Sequence, residues 1–198
     1  LGEWAAAEGL VYDFFGPELV QPVPESLDGP WYISCDYGTV NPTSMGLWGQ
    51  KGGVWYRTAE FYYDSRKTGR QQTDGEYADD LARLAGGRDI RGVVLDPSAA
   101  SFREELIRRG WTVYRAENEV LSGIRRTAEL LRAGQLVICS PCEDAIREFG
   151  LYRWDTAATG DRVVKEHDHA MDDIRYFAVT VASRRSEGFF AGAVERSG

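Results

Sequence analysis

Two different periodicities meet near residue 70 of this chain, and their order limits what it can fold into. Upstream, WYISCDYG (31–38), TSMGLWGQ (43–50) and GVWYRTAEFYYD (53–64) are β-rich runs, with Gly52–Gly53 between the last two as a hairpin turn signal. Downstream, helix and strand patterns alternate. Tyr77, Leu81 and Leu84 set a helical spacing over 73–86, IRGVVLD (90–96) is an apolar run of strand length, and SFREELIRRG (101–110) is a helix stopped at Gly110. WTVYRA (111–116) is a strand, Val120, Leu121, Ile124, Ala128 and Leu131 share one face of a helix over 118–134, and QLVIC (135–139) is another strand. CEDAIREFGLYRW (142–154) begins as helix, TAATGDRVV (156–164) reads as a turn-bearing hairpin or loop, and a last helix runs from about Asp168 into Arg184. Tight turns join antiparallel strands, whereas helical crossovers return the chain parallel. The expected fold is therefore α/β, with a three-strand antiparallel meander plus parallel strands in one mixed sheet flanked by helices.

With 198 residues, 43% of them hydrophobic, the chain can bury one sizeable core. Regular structure is expected to begin at Trp31. Residues 1–30, mixing aromatics with Pro and Gly without a period, read as an arm or linker, residues 31–185 as the domain, and 186–198 as a loosely ordered tail. The first residue, Leu1, suggests a piece of a longer protein. No run approaches the roughly 18 apolar residues of a membrane span, and no signal-like segment opens the chain. The formal charge of −8 argues against a protein that binds nucleic acid by a blanket of positive charge, but not against a nuclease to which another domain delivers substrate. Cys35, Cys139 and Cys142 form no disulfide framework and suit a reducing compartment. The Cys139–Cys142 CxxC lacks the further ligands a zinc site needs and reads as buried thiols beside a strand end.

Acids recur where this pattern ends its strands. Asp36 closes the first run, Asp96 the buried middle run, and HDHAMDDIRY (167–176) opens the last helix with Asp172 and Asp173. In α/β sheets, residues just past the carboxyl ends of strands line the ligand crevice. If the 31–37 and 90–96 strands are neighbours, Asp36 faces Asp96, and the last helix must lay its first turn across them. With His169 at zero and about 100° per residue, Asp172 falls near ~300° and Asp173 near ~40°, so the spacing alone does not choose between them. Singly, each acid is explained by a turn or helix cap. Three together would repel unless a cation intervenes, and all-oxygen ligation favours Mg²⁺ or Mn²⁺. Paired ions of this kind hydrolyse phosphodiesters.

With those residues in place, the chain resembles the C-terminal nuclease domain of the large terminase subunit of tailed bacteriophages, which has a ribonuclease H-like fold. DYGTVNPTS (36–44), VVLDPSAASFREELIRRG (93–110), ENEVLSGIRRTAELLRAGQLVI (117–138) and KEHDHAMDDIRYFAVT (165–180) carry the likeness in order, and GEWAAAEGLVYDFF (2–15) is similar to the segment leading out of the motor domain. The resemblance implies a metal-dependent endonuclease cutting concatemeric viral DNA during genome packaging, with Asp36, Asp96 and Asp172 as catalytic metal ligands for two Mg²⁺ or Mn²⁺ ions. It prefers Asp172 to Asp173 and places His169 near the metals as a further catalytic residue, orienting water or a phosphate oxygen. Asp173, Asp168 and Lys165 are secondary candidates. The implied partners are double-stranded DNA, the small terminase subunit, the portal and an ATPase domain of the same polypeptide, acting at the procapsid in the host cytoplasm. No GxxxxGK[ST] loop occurs, so no ATP site is expected in this chain.

Arg103, Arg108, Arg109, Arg115, Arg125, Arg126 and Lys165 border the acidic motifs and are candidate phosphate contacts, although a solvated helix face explains each equally simply. The aromatics Trp48, Trp55, Tyr56, Phe61, Tyr62 and Tyr63 read as core and sheet-face residues. Two competing readings are another ribonuclease H-like nuclease, such as a Holliday-junction resolvase, which would want a basic DNA face and a symmetric dimer, and a non-catalytic module docking on the portal or motor.

Overall fold

The computed structural model describes residues 9–185, so residues 1–8 of the arm and the 186–198 tail lie outside the described residues. One sheet holds β1 (Val20–Gln21), β2 (Trp31–Asp36), β3 (Thr43–Lys51), β4 (Val54–Tyr63), β5 (Ile90–Leu95), β6 (Val113–Arg115) and β7 (Leu136–Cys139). Their spatial order is β1-β7-β4-β3-β2-β5-β6. β2, β3 and β4 form the antiparallel meander, and every other pairing is parallel. Gly52 and Gly53, at φ 57° and 85°, close the β3–β4 hairpin with the two positive φ values of a type I′ turn. All strands except β3 consequently point the same way. Their C-terminal ends share one edge of the sheet.

Helices cover both faces. α2 (Asp74–Ala85) and α3 (Ala100–Arg108) pack on Ile33, Cys35, Met45, Leu47, Val93 and Leu95. α4 (Val120–Arg132), α5 (Glu143–Phe149) and α6 (His169–Phe177) pack on the opposite face, around Trp48, Trp55, Leu136 and Ile138. Phe177 stacks on Trp48 at 4.2 Å between ring centroids, which anchors the end of α6 to the middle of the sheet. A single turn, α1 (Ser65–Thr68), follows β4.

Regular structure starts earlier than Trp31. β1 adds to the sheet edge beside β7, and Tyr12 and Phe15 are buried, with Phe15 stacked on Phe149 at 3.8 Å. A two-residue strand and two anchoring rings need no hydrophobic period, which is why composition alone read this segment as an arm. Three other boundaries also move. The helix in 142–154 stops at Gly150, the 156–164 hairpin reduces to a single bridge between Trp154 and Val163, and the last helix passes from α6 into a π-helical turn, Ala178–Ala182, and a 3₁₀ turn, Ser183–Arg185. Among the described residues no helix is long and apolar enough to cross a membrane.

Candidate active site

Strand alternation decides which acids can meet. On β2, Ile33 and Cys35 face α2 and α3, while Ser34 and Asp36 face α6. Val94 of β5 also faces α6, where it meets Tyr176, and Asp96 follows the same parity. β2 and β5 are parallel neighbours, with Cys35 opposite Leu95, and the Asp96 N–H donates to the Cys35 carbonyl at 3.3 Å. Asp36 and Asp96 are thus set side by side by the backbone. α6 lays its first turn across them, bringing His169 Nδ1 within 2.9 Å of Asp36 Oδ2. Asp36, Asp96, Asp168, His169 and Asp172 line one open cleft of about 860 Å³.

Each acid has a distinct local tie. Asp96 accepts hydrogen bonds from the Ser98 N–H at 3.0 Å and the Ser98 hydroxyl at 2.9 Å, a local Asx turn. Asp172 accepts from Arg175 at 2.8 Å, and Lys165 Nζ stands 3.7 Å from it and 3.5 Å from Asp168. Burial pushes the Asp36 carboxyl up to about 7; the His169 hydrogen bond opposes this, while Asp172 and Asp96 add to it. Burial pulls the His169 imidazole down, but Asp36, Asp168 and Glu148 together leave it above its ordinary value. An under-compensated oxygen-rich cleft suits a hard divalent cation in its donor chemistry. Among the described residues, however, no three His, Cys, Asp or Glu side chains converge closely enough to form a ready metal site.

Asp173 has a different environment from Asp172. It points down into the sheet, fully buried, where Ser34 donates to it at 2.7 Å, Ser44 donates to its other oxygen, and Arg57 clasps it with both terminal nitrogens, Nη2 at 3.0 Å. Trp48 Nε1 completes the chain by donating to Ser34 Oγ at 2.8 Å. Burial acts to lower the pKa of Arg57, and the adjacent Asp173 carboxylate more than reverses that. Arg57 reaches this position through a bulge: Trp48 pairs with Arg57 and Leu47 with Ala59, leaving Thr58 extra. Gly46 makes the room, since a Cβ there would overlap the guanidinium.

Known structures supply a family context for this geometry. No protein-family model and no curated protein matches the chain. The large terminase from a thermophilic bacteriophage, in a structure with ADP, is 42% identical with a TM-score of 0.84, over 91% of this chain and 46% of that one. The chain belongs to the large terminase family. It spans about half the length of that relative. The nuclease domain of the P22 large terminase matches with a TM-score of 0.71 at 18% identity, covering 91% of this chain and 95% of that one. The large terminase nuclease from thermophilic phage G20c, with bound magnesium, matches at 0.65 and 16% identity, over 87% and 97%. The mixed sheet and its helices therefore have the ribonuclease H-like fold of terminase nuclease domains.

The terminase chain places the basic candidates less uniformly than its acids. Lys165 lines the cleft, but Arg103, Arg108, Arg109, Arg115, Arg125 and Arg126 are not among its lining residues. Arg103 pairs with Glu104, Arg108 with Glu105, Arg109 with Glu105 and Asp79, and Arg126 with Glu129. α3 begins four residues after Asp96, and at its far end Arg109 is held on α2 by Asp79 and the Gly75 carbonyl. The cations that do line the cleft with Lys165 are Arg66, Lys67 and Arg147. Strand polarity was the available signal: the segments following β4 and β7 emerge at the same sheet edge as Asp36. Cys139 and Cys142 sit in the core, their thiols pushed by burial up to about 11 and about 12.

Proposed function

We propose that this domain is the divalent-metal-dependent DNA endonuclease of a phage packaging terminase, with Asp36, Asp96 and Asp172 holding Mg²⁺ or Mn²⁺. The observation that carries this reading is that carboxylates from β2, β5 and α6 line one cleft in a chain of the terminase family. Two such ions, when bound, activate water and stabilise the leaving oxygen of a phosphodiester. The protein's own part is to present carboxylates from rigid strand ends, to hold His169 against Asp36, and to seat the DNA phosphates. Arg66, Lys67, Arg147 and Lys165 supply the positive side of the cleft for that seat. In the longer protein, concatemeric viral DNA in the host cytoplasm is the substrate, and an ATPase domain, the small terminase subunit and the portal are the partners.

The direct test is plasmid nicking and linearisation with Mn²⁺, with Mg²⁺ and with EDTA. Cutting in either metal and none in EDTA supports the reading; folded protein inert in all three would remove it. Metal uptake is also expected to show in melting. An ion present at 100 times its Kd stabilises by about 2.7 kcal/mol, or roughly 5–10 °C for a domain of this size. Asp36→Asn is expected to melt no lower than wild type without metal and to lose most of that gain. An unchanged melting curve across millimolar Mn²⁺ would contradict binding at these acids.

DNA binding by the isolated domain is expected to be weak, salt-sensitive and largely sequence-nonspecific. Combining Arg66→Ala with Lys67→Ala is expected to weaken it for every sequence tested and to shallow the slope of log affinity against log salt by about 2. Combining Arg108→Ala with Arg109→Ala is expected to leave both quantities near wild type. Fluorescence anisotropy across a salt series reads this directly, and the opposite ranking would put the DNA on the α3 side.

A further inference from the structure

α6 carries His169 and Asp172, yet its own N-cap residue, Asp168, makes no side-chain capping bond. The exposed start of a helix leaves N–H groups without partners and a partial positive charge. Here the partner comes from elsewhere. Glu148, near the end of α5, is completely buried, and its Oε2 accepts the Ala170 N–H at 2.7 Å. Its Oε1 accepts the Tyr62 hydroxyl of β4 at 2.6 Å. One carboxylate thus ties the first turn of α6 to the sheet, one residue from His169. α5 is itself fixed at its other end by β4, because Glu60 accepts the N–H groups of Asp144 at 2.6 Å and Ala145 at 3.2 Å.

We infer that Glu148 is the positioning residue of the nuclease site, holding the start of α6 in the register that keeps His169 on Asp36 and Asp172 in the cleft. The inference rests on the nuclease reading for its consequence in activity, but not for its structural content. Burial raises the Glu148 carboxyl above its ordinary range, partly offset by the Tyr62 and Ala170 hydrogen bonds. A buried acid with that penalty is retained here by two directed bonds, with the Arg147 guanidinium 3.9 Å from its Oε1, and directed bonds are what fixing a helix start requires. Arg147 stands over the Tyr62 ring at 5.2 Å, so the tie sits directly behind the cationic side of the cleft.

The experiment compares Glu148→Ala, Glu148→Gln and Glu148→Asp in metal-dependent plasmid cleavage, with amide hydrogen exchange on the same proteins. Glu148→Ala is expected to lower kcat about 20-fold or more with little change in KM for DNA. Glu148→Gln is expected to recover to within about 3-fold, because its amide oxygen can accept from Ala170 and its NH₂ can donate to the Tyr62 oxygen. If Glu148→Ala does not fold, Glu148→Asp takes its place: one methylene shorter, it cannot reach both partners and is expected to lose kcat where Gln does not. Exchange at residues 169–172 is expected to quicken at least 10-fold in the Ala or Asp variant, with β2 and β5 still protected. Equal kcat in the Ala or Asp variant and wild type would overturn the inference, as would Gln failing as badly as Ala. If wild type does not cut DNA at all, the nuclease reading fails, and unchanged exchange at 169–172 then independently refutes the positioning role.

Discussion

Asp96→Asn is expected to reduce metal-dependent cleavage by at least about 1,000-fold, equivalent to about 4 kcal/mol of barrier, while the domain stays folded. Asp96 separates chemistry from folding better than the other acids. Its local duty is to accept from the Ser98 N–H and hydroxyl, and an Asn side-chain oxygen can still take the N–H bond of such a turn. The neutral amide is a far poorer partner for a divalent cation than a carboxylate. Turn stability should therefore change by about 1 kcal/mol or less, whereas the charge offered to the cleft falls by one. Asp36→Asn and Asp172→Asn are expected to cut activity similarly, each also breaking a tie within the site, Asp36 to His169 and Asp172 to Arg175, and only the Asp172 change is expected to lower stability as well. Kinetics on plasmid DNA together with far-UV circular dichroism check this. Full cleavage by folded Asp96→Asn would mean that Asp96 is only a turn residue.

Asp173→Asn is expected to give the largest loss of stability of any single change at the site, about 3–5 kcal/mol, seen as a melting point lower by roughly 6–20 °C. Asp173 and Arg57 are each completely buried, and removing the Asp173 charge takes away the two-pronged partner of Arg57 inside the sheet–helix interface, leaving it only Glu60, 3.3 Å from Nη2. The sequence ranked Asp173 below Asp172 as a catalytic residue, and the structure gives it a different duty altogether. Replacing both partners by similar-sized neutral residues, Asp173→Asn with Arg57→Met, is expected to cost less than the two single changes added together, since neither member of the pair is left facing the other's absence, while Glu60 keeps the Asp144 and Ala145 N–H bonds. Thermal unfolding of the four proteins in this cycle measures the coupling directly. A single Asp173→Asn melting within about 2 °C of wild type would show that the buried pair contributes nothing to folding.

These two neighbours show where reading the chain stops. The turn pair Gly52–Gly53 and the apolar run Ile90–Leu95 are local signals, and they sufficed for the meander and for the central parallel strand. Once both strands were read to end in an acid, Asp36 and Asp96 were expected to meet on condition that the strands were neighbours, and the parallel β2–β5 pairing supplied that condition. Helical spacing put Asp172 and Asp173 on opposite sides of His169 but left the choice open, because an angle on a helix does not say which side faces solvent and which faces the sheet.

Only the tertiary structure settled that choice of facing, through partners distant in sequence. Arg57 lies 116 residues before Asp173 and turns inward at a bulge that no period-2 pattern predicts. Glu148 reaches α6 from 22 residues back and reads in the sequence as one more acid on a short helix. The basic residues follow the same logic: charge next to a motif along the chain does not place charge next to it in space, and α3 carries Arg108 and Arg109 away while β4 and α5 bring Arg66, Lys67 and Arg147 to the cleft. Periodicity and turn chemistry act over a few residues, so the chain alone determined the elements and the strand ends where the acids stand. Burial and charge pairing act through space. They decided which acid faces the cleft, which is locked in the core, and which distant carboxylate holds the helix in place.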